Sequence, residues 1–446
     1  MQKSMVEGNT LKLILNFSIP LLLGNLFQQF YNVVDAAIVG QTLGSKALAA
    51  VGASSSSVQF LILGFCMGIC QGFAIMVSQS YGAKRLDEMQ TYIYAGAVWT
   101  AITAFVISIL VVVFCTDILH ILQVNDEIFN DAYAYLVVIF AGIPFTLLYN
   151  YLSAILRAIG DSKTPFFFLA FSAVLNIGLD FFYILVLKWG CAGAAIATIF
   201  AQAVSGILCL LLIAFKVNVL HVPKSSRYMD KKHSVKLLAM GVPMGLQFSI
   251  TAIGSMVMQS ANNALGTIYV SGFTAGMRIK SLMMCPFDAL GAAVSTFLSQ
   301  NYGAHKLDRI KDGYHKGVMV SIIYGVFACV VMVFFGRILS MMFVSASESQ
   351  VLNASALYLR RMGYFYPVLG ILMTTRMSVQ GLGYSARAML AGFVEMIARC
   401  IVALCFVPVF KYNAITWADQ AAWVAATLVL IPLWISAMRT VQKKMS

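Results

Sequence analysis

Several stretches of this sequence are long, strongly apolar and free of charged residues. Hydrophobic residues make up 60% of the chain, charged residues only 11%, and the mean hydropathy is +0.85. About 20 consecutive apolar residues cross a bilayer as a helix, and the uncharged stretches of about this length include Ala97–Cys115, Ala132–Leu156, Trp189–Phe215 and Gln420–Met438. Because a helix satisfies its own backbone hydrogen bonds in lipid, the sequence predicts an all-α membrane protein.

The uncharged stretches divide into twelve predicted transmembrane helices. The longest one, Leu237–Met277, exceeds a single crossing and is interrupted at Gly266, so it is divided in two. No small-residue cleavage site follows the first apolar segment, which is therefore retained as helix 1. The predicted helices cover roughly residues 13–39, 47–78, 91–115, 129–156, 164–187, 190–215, 235–265, 268–300, 313–336, 351–380, 385–410 and 417–439.

The net charge of +13 is distributed over alternate loops. In a soluble protein this excess would suggest nucleic-acid binding, but here the basic residues cluster on one side of the predicted membrane. The polar loop from Lys216 to Lys236 is rich in lysine, whereas Thr116–Asp131 on the opposite side has four acids and no Lys or Arg. The positive-inside rule then predicts that both termini are cytoplasmic, and no nucleic-acid partner is expected.

An internal repeat organises the chain. The segment Gln79–Asp87, QSYGAKRLD, recurs in the second half as Gln300–Asp308, QNYGAHKLD, and Pro20 matches Pro243 at nearly the same spacing. We call the spacing from Pro20 to Pro243 the repeat offset. Six helices per half leave both halves in the same orientation, which predicts a parallel repeat of two pseudo-symmetric six-helix bundles around a central cleft. The predicted organisation is an N-lobe at 1–215, a cytoplasmic linker at 216–234 and a C-lobe at 235–446.

Two similar bundles around a cleft are typical of alternating-access transporters, whose substrate sites lie near the interface of the repeats. The sequence contains no G-x-x-x-x-G-K-[ST] phosphate loop, so the chain is predicted to have no ATPase activity of its own. We therefore expect a secondary transporter rather than an enzyme, with no cofactor and with Na⁺ or H⁺ as the coupling ion.

Four acidic residues lie within predicted helices, and an acid in a span is functional by default: Asp35, Asp180, Asp288 and Glu395. Counted from the outer helix ends at 1.5 Å per residue, Asp35, Asp180 and Thr198 lie roughly 7 to 12 Å deep. Asn176 stands four residues before Asp180 on the same helix face. We predict a cation site of Asp35, Asn176, Asp180 and Thr198, where oxygen ligands suit Na⁺ and repulsion between carboxylates favours H⁺.

The second half lacks this set of cation ligands. At the repeat offset the positions of Asp35, Asn176 and Asp180 are occupied by Met258, Arg399 and Ala403. Glu395 and Arg399 lie four residues apart on helix 11, which predicts a structural ion pair. Several roles are predicted for Asp288: an ion pair with Arg278, Lys280 or Arg376, or the binding of protons or of a cationic substrate.

Together these residues resemble the multidrug and toxic compound extrusion (MATE) family of bacterial transporters over essentially the whole chain. The segments that carry the resemblance are Ser18–Asp35, the two Gln-x-Tyr-Gly-Ala loops, Arg157–Pro165, Asn176–Asp180 and Gly193–Thr198. The resemblance implies twelve helices in two lobes around a V-shaped cleft in the bacterial inner membrane. It also implies export of drugs or metabolites driven by Na⁺ or H⁺.

The resemblance further implies roles for individual residues. In the branch that this sequence looks most like, residues matching Asp35, Asn176, Asp180 and Thr198 bind the cation. Residues matching Gln28, Tyr31 and Asn150 line the substrate cavity. Another branch carries a cation-binding acid in helix 7, but the matching stretch here, Gln247–Gln259, contains no acid.

The expected function is export of organic, cationic lipophilic compounds in exchange for Na⁺ or H⁺. Asp288 is assigned to substrate binding together with Gln28, Tyr31 and Asn150, and the protein is expected to act as a monomer on small organic substrates. The alternatives are a flippase or exporter of a lipid-linked or anionic metabolite, and a receptor or channel that does not transport.

Overall fold

The computed structural model describes residues 4–54, 56–121 and 124–445, and within these ranges every regular element is helical. The first half of the chain, up to Lys216, also contains π-helical turns at Ala50–Ser54 and Phe181–Val186. Its α-helices are α1 (Thr10–Leu43), α2 (Ser45–Ala49), α3 (Ser56–Gly82), α4 (Leu86–Val113), α5 (Cys115–Ile121), α6 (Asp126–Ala141), α7 (Ile143–Ala158), α8 (Lys163–Asp180) and α9 (Gly190–Lys216).

The second half follows a polar connection that contains two short 3₁₀ turns, Asn218–Leu220 and Lys224–Ser226. A π-helical turn at Val402–Phe406 interrupts one of its long helices. The α-helices of this half are α10 (Lys231–Asn263), α11 (Thr267–Gly303), α12 (Leu307–Ser340), α13 (Ser349–Gly363), α14 (Tyr366–Gly381), α15 (Ser385–Ile401), α16 (Val407–Phe410) and α17 (Tyr412–Met445).

The described helices confirm the prediction of an all-α membrane protein. Ten spans are long and apolar enough to cross a bilayer, and α6 with α7 makes an eleventh that is bent by 47°. The sequence predicted this span as one helix, but Gly142 separates α6 from α7 and Pro144 occupies the first turn of α7, where its missing N–H costs nothing. The predicted tenth span corresponds to α13 and α14, which are 15 and 16 residues long.

Pairs of unusual backbone conformations repeat along the chain at a nearly constant spacing. A positive φ is a conformation that residues other than glycine rarely adopt, so its recurrence at matched positions is specific. The matched pairs are Gly44 (90°) with Gly266 (101°), Lys84 (57°) with His305 (56°), Gly160 (91°) with Gly383 (93°), and Lys188 (55°) with Lys411 (49°). The two halves therefore turn in the same way at corresponding loops, as the sequence repeat predicted.

The described chain forms two compact units that differ from the predicted lobes at two helices. Unit 1 comprises Met1–Ser4 and Leu23–Gly245, and unit 2 comprises Met5–Leu22 and Leu246–Ser446. The change of unit occurs within α1 and within α10, close to Pro20 and Pro243. A proline inside a helix removes one backbone hydrogen bond and permits a bend, so each helix packs with one unit before its proline and with the other unit after it.

Unit 1 contains a close contact between α3 and the first part of α10. A Cβ added to Gly72 would lie 2.6 Å from the Cα of Gly241, and one added to Gly68 would lie 2.7 Å from the Cα of Gly245. No side chain fits between the two backbones. Small residues at regular spacing allow membrane helices to pack this closely.

Unit 2 binds the residues that precede α1 through the second copy of the repeated motif and through Arg309, which follows it. The Gln300 side chain accepts a hydrogen bond from the backbone N–H of Met5 at 2.8 Å. Arg309 donates from Nη2 to the Met5 carbonyl at 3.1 Å and from Nη1 to the Gly8 carbonyl at 2.9 Å. These bonds satisfy backbone groups ahead of the first helix.

Candidate functional site

Two acidic side chains of unit 1 meet in the interior of the bundle. Asp35 belongs to α1, and Asp180 is the last residue of α8, immediately before the π-helical turn at Phe181–Val186. Asp180 is 0% exposed, and the two carboxyl groups interact directly with each other. π-Helical turns within α-helices are frequent at functional sites, where they redirect side chains. We call Asp35 and Asp180 the acid pair.

Polar groups next to the acid pair come from α8 and α9. The Asn176 amide, one turn before Asp180, donates from Nδ2 to the Thr198 hydroxyl at 3.4 Å. Thr198 in turn donates to the Ala194 carbonyl at 3.1 Å. All four predicted cation-binding residues thus lie in unit 1, joined in two contacting pairs, Asp35 with Asp180 and Asn176 with Thr198.

Oxygen atoms in this region lack hydrogen-bond donors. Among the described residues no donor reaches Asp35 Oδ1, either oxygen of Asp180, Asn176 Oδ1 or Gln202 Oε1. Within the same part of the chain, neither acid forms an ion pair with a lysine or arginine. Buried acceptors are normally satisfied, and an uncompensated buried carboxylate is costly. The arrangement therefore suits a bound cation, either a proton or Na⁺.

A small cavity is lined by Asn176 and Gln202, two of the residues with an unsatisfied oxygen, but not by Asp35 or Asp180. Its volume is about 10 Å³, close to the space that one water molecule needs. The residues lining it are Tyr31, Leu169, Ser172, Ala173, Asn176, Thr198, Ala201 and Gln202. Sequence reasoning did not identify Gln202 or Ser172. Each stands four residues from a predicted ligand, Thr198 or Asn176, so the helical spacing contained the signal for both.

The structure also locates the residues that the family resemblance assigned to the substrate cavity. The Gln28 side chain interacts with Tyr31, which lies one turn before Asp35 on α1. Asn150 on α7 donates from Nδ2 to the Thr146 carbonyl at 2.8 Å. Tyr31 also lines the small cavity beside Asn176. Their roles in substrate binding stay predictions.

Unit 2 contains a buried acid that the sequence reading assigned to a helix end. Predicted helix 12 began at residue 417, but α17 begins at Tyr412, which places Asp419 two turns inside the helix at 8% exposure. Asp419 Oδ2 accepts from Lys280 Nζ at 2.6 Å and from the Tyr358 hydroxyl at 2.7 Å. Its Oδ1 accepts from Arg399 Nε at 3.1 Å. Asp419 therefore joins the four acids identified within helices.

The predicted pair of Glu395 and Arg399 belongs to a longer chain of charges around Asp419. Arg399 Nη1 lies 3.5 Å from Glu395 Oε2, and Glu395 also forms an ion pair with Arg376. The side chains of these three residues are only 4–5% exposed. We call this set the charge network: Lys280, Asp419, Arg399, Glu395 and Arg376. It neutralises its two acids with three cations of the protein itself.

The acid pair and the charge network occupy related places in the two halves. Tyr135 matches Tyr358 at the repeat offset, and Asn176 matches Arg399 at the same offset. In unit 1 the Tyr135 hydroxyl interacts with Gln59, and in unit 2 the Tyr358 hydroxyl donates to Asp419 at 2.7 Å. Among the described residues the acid pair is thus without counter-charge, whereas the two acids of the charge network are paired with basic residues.

Asp288 is separate from the network, although it interacts electrostatically with Arg376. Its side chain on α11 is exposed. Among the described residues it forms no ion pair, because Lys280 is bound to Asp419 and Arg376 to Glu395. An unpaired, accessible carboxylate remains available for a cationic ligand, so its predicted role in substrate binding stays open.

Comparisons with known proteins agree with this organisation. The MatE family model matches twice, over residues 20–182 and 243–405, so the two matches begin at the two equivalent prolines and confirm the repeat. The probable multidrug resistance protein YpnP of Bacillus subtilis is 32% identical over 368 residues, which are 82% of this chain and 81% of that protein. An FAD transporter of Shewanella oneidensis is 23% identical over 81% of this chain and 80% of its own.

The fold has a solved counterpart. The crystal structure of MATE in complex with MaL6 superposes with a TM-score of 0.92 at 21% sequence identity, covering 99% of both chains. Two family matches in tandem, the identity with YpnP and the shared fold all agree with the duplicated helical architecture. The chain belongs to the MATE family of membrane transporters.

Proposed function

We propose that this chain exports organic, cationic lipophilic compounds in exchange for Na⁺ or H⁺, by alternating access. The observation that supports the proposal is the acid pair: two contacting carboxyl groups in the interior of unit 1, with no donor on three of their oxygens and no basic partner among the described residues. Acids in this position are functional by default. The proposal involves no catalytic group and no cofactor.

Cation exchange follows from the electrostatics of the pair. Two adjacent carboxylates repel each other when both are ionised, so the empty pair favours uptake of a cation. Oxygen ligands from Asp35, Asp180, Asn176 and Thr198 suit a hard cation. When the cation leaves, the negative charge attracts an organic cation or water instead. The coupling cation and the substrate thereby occupy the protein alternately.

The cargo is proposed from charge and from the character of the accessible groups. Asp288 is exposed and unpaired among the described residues, as expected for a carboxylate that binds a cationic substrate. Gln28 and Tyr31 lie on α1 two turns and one turn before Asp35. Aromatic faces and carboxylates together bind flat organic cations well.

Ethidium efflux tests the proposal. Energised vesicles that contain the protein should expel ethidium, and collapse of the gradient that drives the cycle, Na⁺ or H⁺, should stop efflux, because the acid pair takes one of these ions as its driving ion. The two gradients are collapsed separately and then together, and control vesicles lack the protein. Efflux that survives the loss of both gradients would contradict cation coupling.

Export of an anionic metabolite is the second candidate. The charge network carries three cations against two acids, and an FAD transporter is among the relatives. We favour cationic cargo because every cation of the network is already paired and 4–10% exposed in its side chain. Transport of FAD or another organic anion by the same vesicles, with no ethidium efflux, would decide for the second candidate.

The proposed location is the bacterial inner membrane, with both termini and the linker in the cytoplasm. The lysine-rich linker supports this orientation through the positive-inside rule. Ser225 is an exposed residue of the linker, so a cysteine introduced by Ser225→Cys should react with a membrane-impermeant thiol reagent only after cells are opened. The parent protein is the control for its native cysteines. Labelling of this cysteine in intact cells would contradict the proposed orientation, because the linker would then face the outside of the cell.

A further inference from the structure

Unit 2 contains a groove that neither the acid pair nor the charge network uses. Its volume is about 400 Å³, and the residues that line it are Arg361, Val402, Phe406, Phe410, Asn413, Ala414 and Trp417. The groove forms where the π-helical turn at Val402–Phe406 and the short α16 lead into α17 through Lys411, which has a φ of 49°. We call it the aromatic groove.

The walls of the aromatic groove are apolar and accessible. Phe406 and Phe410 lie one turn apart with their rings stacked, 6.3 Å between centroids, and are 48% and 57% exposed. Trp417, on the next helix, is 42% exposed and packs edge-on against Phe365 at 5.9 Å. In a membrane protein an exposed aromatic surface of this kind contacts lipid, and a hydrocarbon chain fits between its walls.

One side of the groove carries an arginine with unused donors. Arg361 donates from Nη1 to the Asn413 carbonyl at 3.2 Å and to the Thr416 hydroxyl at 2.5 Å. Its Nε and Nη2 make no hydrogen bond to the described residues, and no acid pairs with it there. The guanidinium lies 5.4 Å from the centre of the Trp417 ring, which fixes its position.

Further positive charge lies on the same side of the groove as Arg361. Lys411 is exposed and directly precedes α17. Because α17 begins at Tyr412, the partial positive charge of its N-terminus lies at the same place. None of the seven lining residues is acidic. A ligand that complements the groove is therefore anionic at one end and apolar along the rest.

We propose that the aromatic groove binds an anionic phospholipid. The phosphate accepts hydrogen bonds from Nε and Nη2 of Arg361, a bidentate arrangement that guanidinium groups favour. Part of one acyl chain lies between Phe406, Phe410 and Trp417, and the remainder of the lipid stays in the bilayer. A zwitterionic headgroup fits less well, because its ammonium group would approach Arg361 and Lys411. With a cytoplasmic C-terminus, as proposed above, the lipid belongs to the outer leaflet.

Native mass spectrometry of the purified full-length protein tests the proposal. Phosphatidylglycerol and phosphatidylcholine with identical chains are added in turn, and the wild type should retain the anionic lipid preferentially. Arg361→Ala should lower the apparent affinity for phosphatidylglycerol by about tenfold, since a bidentate charged contact is lost. The matched control is Arg337→Ala, which removes an exposed arginine bound to Asn353 and Ser349 outside the groove.

Fluorescence locates the bound lipid. Brominated phosphatidylglycerol should quench the emission of the wild type more than that of Trp417→Phe, and Arg361→Ala should abolish this difference. Arg361→Lys keeps the charge but not the planar fork, so it should fold and show an intermediate preference. Equal quenching by brominated phosphatidylcholine, unchanged binding by Arg361→Ala, or displacement of the lipid by a soluble lipophilic anion at equal concentration would each overturn the proposal.

Discussion

Asp180→Asn is expected to reduce gradient-driven efflux to the level of vesicles without protein, while the protein still inserts and folds. Asp180 is 0% exposed and neither of its oxygens has a donor among the described residues, so the native side chain depends on a cation for compensation. An amide has nearly the same shape but carries no charge and does not titrate. The exchange of cations that drives the cycle would stop, and the defect should persist at every pH.

Asp117→Asn is the matched control for the loss of one acid. It makes the same chemical change at an exposed position in the first turn of α5, and efflux should remain at the wild-type rate. Asp35→Asn should match Asp180→Asn, because the two carboxyls act as one site. Normal Na⁺ and H⁺ responses in Asp180→Asn, together with their loss in Glu395→Gln or Asp288→Asn, would place coupling in the second half instead.

Asp419→Asn is expected to destabilise the protein without removing a coupling residue. The carboxylate of Asp419 is the acceptor for Lys280, Arg399 and Tyr358, all within 3.1 Å. Removal of its charge leaves two buried cations with insufficient compensation, and loss of one member of such a set costs about 3–5 kcal/mol. Titration of the purified protein with a denaturing detergent should measure this decrease in the free energy of unfolding.

The exposed ion pair between Lys46 and Glu127 is a matched control. Its atoms are 2.8 Å apart, but the side chains are 68% and 65% exposed. Glu127→Gln should therefore change stability by less than about 1 kcal/mol. Adding Lys280→Met to Asp419→Asn should recover part of the loss, because one uncompensated cation is then absent. A double variant no more stable than Asp419→Asn would show that the cost does not come from unpaired charge.

Much of the fold was accessible from the sequence because the bilayer restricts the possible structures. Uncharged stretches predicted the helices, and the nearly constant spacing between equivalent segments predicted the repeat that the matched positive φ angles and the tandem family matches confirm. The acid pair was predicted from the depth of the two residues, and the family resemblance implied the same residues. Asp35 and Asp180 do interact in the structure, since helices of known rise fix the height of each side chain.

Other features depend on tertiary packing and could not be derived. A small error at the start of α17, predicted at 417 and observed at Tyr412, was enough to assign Asp419 to a helix end. The full set of ion-pair partners of Glu395 could not be predicted either. Arg376 and Arg399 both pair with it, although only Arg399 is close to it in sequence. The aromatic groove depends on a π-helical turn that has no pattern of its own in the sequence.

Infrared difference spectroscopy of the purified protein tests the central claim most directly, because it detects the protonation and cation binding of individual carboxyl groups. Addition of Na⁺ or a rise in pH should change the carboxyl bands of the wild type, since either step displaces a proton from the acid pair. The Na⁺-induced change, and the part of the pH-induced change that the acid pair contributes, should be absent in Asp180→Asn and present in Glu395→Gln, whose altered residue belongs to the charge network. A response that persists in Asp180→Asn and disappears in Glu395→Gln would contradict the account.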